Sequence, residues 1–222
     1  MALLVVLDDG DDEGETIRIR ASSFVIGRVE GDLVIPHDPG ISGRHAEILR
    51  RPDDGQGRWH LKDLNSTNGT FVRTSSALLQ PNQEILLGAR RYRFDPARPA
   101  DLPSAASADD SSTRKWQSLS PTGLADLLHP TLVELTPQGE GPRFRLAEAE
   151  NWVGRDPRRC SVVLDHPMIS PRHARIQRDD RGRWWIHNAK SRNGVWLRVH
   201  EIPLERGGQF QCGEQRFLVK IL

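Results

Sequence analysis

The chain has 222 residues, 36% of them hydrophobic and 27% charged, with 31 Lys and Arg set against 30 Asp and Glu. That composition belongs to globular domains, and a net charge of +1 gives no bulk pull toward nucleic acid or an anionic membrane. The length suits two domains of about 100 residues better than one.

At the start, MALLVVLDDG lacks a basic n-region and its apolar run is too short for a signal peptide. Nowhere does an apolar run approach the roughly 18–20 residues of a membrane span. LLVVL reads as a strand. DDGDDEGE, from Asp8 to Glu15, reads as a solvated hairpin loop, since it lacks the spacing of an EF-hand calcium loop. TIRIR, FVIGR, DLVI, HAEILR, RWHLKDL and EILLG follow as short alternating or apolar runs between clusters of Gly, Asp, Asn and Pro. Strands this short and frequent predict an all-β, two-sheet sandwich whose loops gather at its ends.

From Asp95 to Ser118 the composition turns to Pro, Ala, Ser and Asp, which reads as a flexible linker. Within LSPTGLADLLHP, Ser120 and Pro121 suit the start of a short helix with Leu124, Leu127 and Leu128 on one side. Beyond it the strand pattern returns as TLVEL, RFRLA, SVVL, HARIQR, RWWIHNA and RFLVKIL. The predicted division is 1–96, a linker over 97–129, and 130–222.

The second half repeats the first. FVIGR is echoed by NWVGR, ISGRHAEI by ISPRHARI, STNG by SRNG, and LLGARRYRF by QCGEQRFLV, at an offset of 125 to 128 residues. A period this long marks a duplicated domain, because solenoid units run about 20–50 residues. The shared polar residues fall at strand edges: Gly27-Arg28 ends one strand, Ser42, Arg44 and His45 open another, and Thr67-Asn68-Gly69 makes a tight turn. This set supplies cationic, hydroxyl and amide donors without a carboxylate. It suits a phosphate, with about −1.5 to −2 charge and three acceptor oxygens, which Arg grips through its planar fork.

Gly-Arg, then Ser-x-x-His, then Ser/Thr-x-Asn-Gly, present twice in that order, resembles the forkhead-associated (FHA) domain. The resemblance implies two eleven-stranded β-sandwiches, each binding phosphothreonine peptides through loops at one end. Carried over by position, Arg28 and Ser42 would bind phosphate, Arg44 and Thr67 would add donors, and Asn68 would grip the peptide backbone. His45 would brace the loops from inside, Gly27 would allow close approach and Gly69 the turn. The second copy maps as Arg155, Ser170, Arg172, Ser191 and Asn193 for the phosphopeptide, with Gly154, His173 and Gly194 as loop support. It departs from the first at Pro171 for Gly43, Arg192 for Thr67, Val195 for Thr70 and Asn188 for Asp63, so its ligand or affinity differs.

The expected partners are threonine-phosphorylated proteins, a Ser/Thr kinase or its substrate among them, met in the cytoplasm by a non-catalytic adaptor without cofactor or metal. A scaffold that binds through its sandwich faces regardless of phosphorylation remains the alternative. Ser42 with His45, or Ser170 with His173, lacks the acid partner and nucleophile elbow of a hydrolase. Trp59, Trp184 and Trp185 read as core or half-buried flank rather than a platform for bases, and the scattered, balanced arginines disfavour nucleic acid. Cys160 and Cys212 read as reduced, partly buried thiols. Thr113 and Thr122 in the linker are candidate internal ligands once phosphorylated.

Overall fold

The computed structural model describes residues 1–7, 13–52, 57–97 and 128–222. The acidic hairpin tip and nearly all of the linker, with the short helix expected there, lie outside the described residues. The first repeat supplies β1 (Ala2–Leu7), β2 (Glu13–Ile19), β3 (Ser23–Gly27), β4 (Leu33–Val34), β5 (Ala46–Arg51), β6 (Arg58–Asp63), β7 (Thr70–Thr74), β8 (Ser76–Leu78), β9 (Gln83–Leu87) and β10 (Arg90–Asp95). The second supplies β11 (Thr131–Thr136), β12 (Gly139–Arg145), β13 (Glu150–Gly154), β14 (Val162–Val163), β15 (Ala174–Arg178), β16 (Trp184–Asn188), β17 (Val195–Val199), β18 (Glu201–Pro203), β19 (Gly208–Cys212) and β20 (Gln215–Ile221). Each repeat thus shows ten strands among the described residues, one fewer than the resemblance implies.

Period-2 patterning makes the sandwich. On β5, Ala46 and Ile48 are buried while Glu47 and Leu49 are partly exposed, and β15 repeats this with Ala174 and Ile176. Trp59 is buried, whereas Trp184 and Trp185 are half-buried.

The two compact units are not the two repeats. One unit is Met1–Arg73 with Trp196–Leu222, and the other is Thr74–Val195. The predicted boundaries of 1–96 and 130–222 follow the sequence period, whereas the packing exchanges the last three strands of each repeat. In the first unit one sheet runs β18-β6-β5-β3-β4, and the facing sheet contains β7-β19-β20-β1-β2. In the second, β14-β13-β15-β16-β8 faces a sheet containing β12-β11-β10-β9. The core of the first unit therefore packs Ile26, Ile48 and Leu61 with Phe210, Cys212, Phe217 and Val219 of the second repeat.

Side-chain complementarity gives this exchange a physical reason. Glu201 on β18 lies opposite Lys62 on β6, 2.7 Å from the Arg51 guanidinium and 3.4 Å from His60 Nδ1. The counterpart of Glu201 is Ser76 on β8, whose hydroxyl meets His187 Nδ1 at 2.9 Å. The counterpart of Arg51 is Asp179. Strands kept within their own repeat would bring Glu201 toward Asp179 and leave Arg51 facing a serine, so charge favours the exchanged pairing.

Cys160 and Cys212 are free, buried thiols, one in each unit. Burial pushes both thiols upward in pKa, Cys212 well beyond the ordinary range.

Candidate functional site

The site in the first unit is assembled from the ends of β3, β5 and β7. Gly27 closes β3 where a Cβ would stand 2.2 Å from the Gly43 carbonyl oxygen and 2.3 Å from that of Glu30. Only a bare α-carbon admits this approach. It lets Arg28 N donate to the Ser42 carbonyl at 2.9 Å, locking the arginine-bearing loop to the serine-bearing one. The exposed Arg28 side chain is anchored by Nε, which donates to the Ile41 carbonyl at 3.1 Å. Ser42 Oγ accepts from Thr67 N at 3.0 Å and keeps its own proton to donate. Asn68 Nδ2 donates to the Gly40 carbonyl at 2.9 Å. Arg44 is exposed, 3.9 Å from Glu30.

His45 sits beneath this set, fully buried. Its Nδ1 accepts from Ser42 N at 3.0 Å, which requires the proton on Nε2, and Nε2 donates to the Gly69 carbonyl at 3.2 Å. Both nitrogens are thereby used on backbone, so His45 is not placed to take a proton from the Ser42 hydroxyl, as the nucleophile-and-base reading would require.

Desolvation lowers the pKa of His45 below its ordinary 6.5, and His173, bonded in the same way to Ser170 N and the Gly194 carbonyl, is lowered for the same reason. The unfolded chain then takes up these protons first. Stability is full above about pH 6.5 and falls as the pH drops from there toward the lower folded-state values. The half-buried His187 is shifted in the same direction. Urea titrations between pH 7.5 and 5.5 are expected to show a falling midpoint. A shallower fall in a chain carrying His45→Asn and His173→Asn would assign part of it to these rings.

Asp63 braces the β6–β7 turn. Its carboxylate accepts from Ser66 N at 2.9 Å, Ser66 Oγ at 2.6 Å and Thr70 Oγ1 at 2.7 Å, while Ser66 Oγ accepts from Gly69 N at 3.0 Å. In the second unit Asn188 Oδ1 accepts from Ser191 N at 3.0 Å and Ser191 Oγ at 2.7 Å, and Val195 replaces the third partner. Ser191 is therefore buried inside the turn and does not stand at the loop surface among the phosphopeptide residues where the sequence reading put it. It corresponds to Ser66.

The second unit otherwise brings its set together in the same way. Arg155 N donates to the Ser170 carbonyl, Arg192 N to Ser170 Oγ at 3.2 Å, and Asn193 Nδ2 to the Met168 carbonyl at 2.8 Å. Pro171 keeps the acceptor role of Gly43: its carbonyl takes Asp156 N and the Cys160 thiol. Arg172 differs most from its counterpart. Its guanidinium carbon lies 3.4 Å from the centre of the Trp152 ring, where the first unit has only Val25. Cation–π stacking holds it over the indole.

One further residue supports the first site without a sequence signal of its role. Asp38 is buried, with Oδ1 accepting from Gly40 N and Oδ2 from Glu214 N, each at 2.7 Å. Asp-Pro-Gly is a turn signal, but nothing in it points to a partner in the other repeat.

Two β-sandwiches, each presenting Arg, Ser and Asn from loops braced by a buried histidine, define the forkhead-associated class. The FHA domain model matches residues 24–88 and 151–213, more than half of the chain, and the chain belongs to this family. It is 45% identical to FhaA of Mycobacterium tuberculosis over 69 residues, covering 31% of this chain and 12% of that protein. With FhaB of the same species it shares 31% identity over 71 residues, covering 32% of this chain and 43% of that one. These alignments span less than half of the relatives' own length. Among solved structures, M. tuberculosis EmbR in complex with a low affinity phosphopeptide aligns at 27% identity, covering 36% of this chain and 22% of that chain, with a TM-score of 0.24.

Proposed function

We propose that the chain is a non-catalytic adaptor that reads phosphothreonine peptides in Ser/Thr kinase signalling, with a ligand-reading loop set in each unit. The observation that carries this reading is the serine hydroxyl of each site, Ser42 and Ser170. Each accepts a backbone N–H from the opposite loop and stands next in the bonded network to an exposed arginine, Arg28 or Arg155, that its own carbonyl holds. Such an array donates to an anion and lacks a general base for attack on one. A tetrahedral phosphate fits its charge and donor count. Asn68 and Asn193 lie beside it to hold a peptide backbone. Recognition of phospho-motifs by arginine-bearing sites is an established physical mode.

The partners in this reading are threonine-phosphorylated proteins, either a Ser/Thr kinase or its substrate, met in the cytoplasm. The second site, with Arg192 in place of Thr67 and Arg172 stacked on Trp152, takes a different sequence context from the first. Two sites on one chain raise avidity for a doubly phosphorylated partner.

The test is a fluorescence-anisotropy titration of the full chain with phosphothreonine, phosphoserine and unmodified peptide pools. The full chain is needed because each unit takes strands from both repeats. Arg28→Ala, in a chain whose second site is silenced by Arg155→Ala, is expected to weaken phosphothreonine binding roughly 10- to 100-fold, the loss of one or more charge-assisted hydrogen bonds. Equal binding of all three pools, unchanged in the arginine variants, would favour a phosphorylation-independent scaffold instead.

A further inference from the structure

We infer that the Gly213–Glu214 turn of the second repeat is a positioning element for the phosphopeptide site of the first repeat, acting through Asp38. This rests on the reading of that site given above. The connection is a chain of short contacts within the first unit. Glu214 N donates to Asp38 Oδ2 at 2.7 Å, and Asp38 Oδ1 accepts from Gly40 N at 2.7 Å. The Gly40 carbonyl accepts from Asn68 Nδ2 at 2.9 Å, and the next carbonyl, of Ile41, accepts from Arg28 Nε at 3.1 Å. The strip from Asp38 to Ser42 thus carries the anchors of both Asn68 and Arg28. The turn that fixes the start of that strip is written far along the chain, in the other repeat.

Contact at the turn is close. A Cβ on Gly213 would stand 2.5 and 2.8 Å from the two Asp38 carboxylate oxygens and 2.8 Å from Ile41 Cγ1, and the residue has φ of +58°. Glycine here serves the first repeat's loop as well as its own hairpin.

The second unit lacks the charged tie. His166 stands where Asp38 does, and its Nδ1 takes Met168 N at 3.3 Å. At the opposing turn, a Cβ on Gly88 would stand 3.1 Å from Ile169 Cδ1 and from Met168 Cβ, so this glycine lies close against the side chains of that loop. The first site therefore depends on the other repeat through a carboxylate, the second through packing.

The full chain carries the test, with Arg155→Ala reporting the first site and Arg28→Ala the second. Gly213→Ala is expected to weaken phosphothreonine-peptide binding at the first site about 10-fold and at the second less than about 2-fold, despite lying in the second repeat. Asp38→Ala should be less than additive with Asn68→Ala, because part of its effect passes through that side chain and the rest through the Arg28 anchor. Additive losses would reduce Asp38 to a general stabiliser and overturn the proposal. So would a loss confined to the second site.

If the unmodified chain bound no phosphopeptide, the functional reading would fail while this one stayed testable. Gly213→Ala should still shift the side-chain amide resonances of Asn68 in nitrogen-15 spectra, and unmoved resonances would sink it. Strand exchange itself is checked by disulfide trapping after cleavage at a protease site inserted between residues 101 and 120. Lys62→Cys with Glu201→Cys should join the two fragments into one 25 kDa band on a non-reducing gel. Two separate bands would overturn it.

Discussion

Phe217→Ala is expected to unfold the unit that carries the first repeat's loops, while leaving the unit of Thr74–Val195 folded. Phe217 belongs to the second repeat, yet its ring is fully buried in the first unit's core. It stacks on Phe210 with ring centres 4.9 Å apart and lies opposite Val6 across the β1–β20 pairing. Removing a buried phenylalanine costs about 3–5 kcal/mol through lost transfer energy and the cavity left behind. That approaches the whole of a small domain's margin, about 5–15 kcal/mol. Hydrogen exchange separates the outcomes. Amides of β3, β5 and β6 should lose protection and phosphopeptide binding at Arg28 should vanish, while β13 and β15 stay protected. Loss of protection confined to β13 and β15 would mean that each repeat folds on its own strands.

Asp63→Asn is expected to destabilise the first unit by about 1.5–3 kcal/mol, the range for a hydrogen bond to a charged group. An amide keeps one acceptor for the Ser66 hydroxyl and backbone. The carboxylate spreads three donors over two oxygens, Ser66 N on Oδ1 and the Ser66 and Thr70 hydroxyls on Oδ2, so a single amide oxygen leaves the Thr70 hydroxyl without its acceptor. Thr70→Val in the same chain removes that mismatch and should recover part of the loss, since it recreates the arrangement of Asn188, Ser191 and Val195 in the second unit. Urea denaturation followed by exchange protection of the β5 and β6 amides reads the first unit. Full additivity of the two changes would mean that the Asp63–Thr70 contact contributes nothing of its own. The two departures noted in the sequence are thus one change: a carboxylate serving three donors, or an amide serving two.

That pair shows what one sequence lets a reader see. The strands were legible because alternation on segments such as AEILRR and ARIQR is a local property. The loops were legible because Gly-Arg, Ser-x-x-His and Asn-Gly each have a local reason for their residue types. Ser191 was misplaced because its neighbour Asn188 takes its hydroxyl inward, three residues away in the chain but on another strand's end. Asp38 went unnoticed because its second partner lies in the other repeat.

The exchange was illegible for a deeper reason. Duplicated strands carry the same hydrophobic pattern, so β8 and β18 satisfy either sheet equally well by periodicity. Differences between the copies decide, among them Glu201 against Ser76, Arg51 against Asp179, and Thr70 with Cys212 across β7 and β19. Local patterning specifies a sandwich. Cross-strand chemistry specifies whose strands complete it.

The pairing of β1 with β20 also sets an order of events during synthesis. Ala2 lies opposite Ile221 and Leu7 opposite Arg216, so this sheet cannot close until the strand over 215–221 has left the ribosome. The unit of Thr74–Val195 is contiguous and emerges earlier. At about 5–20 residues per second, the first-made strand waits roughly 10–40 s with an open edge, the geometry that invites wrong pairing or chaperone capture. The strands translated first belong to the unit that closes last.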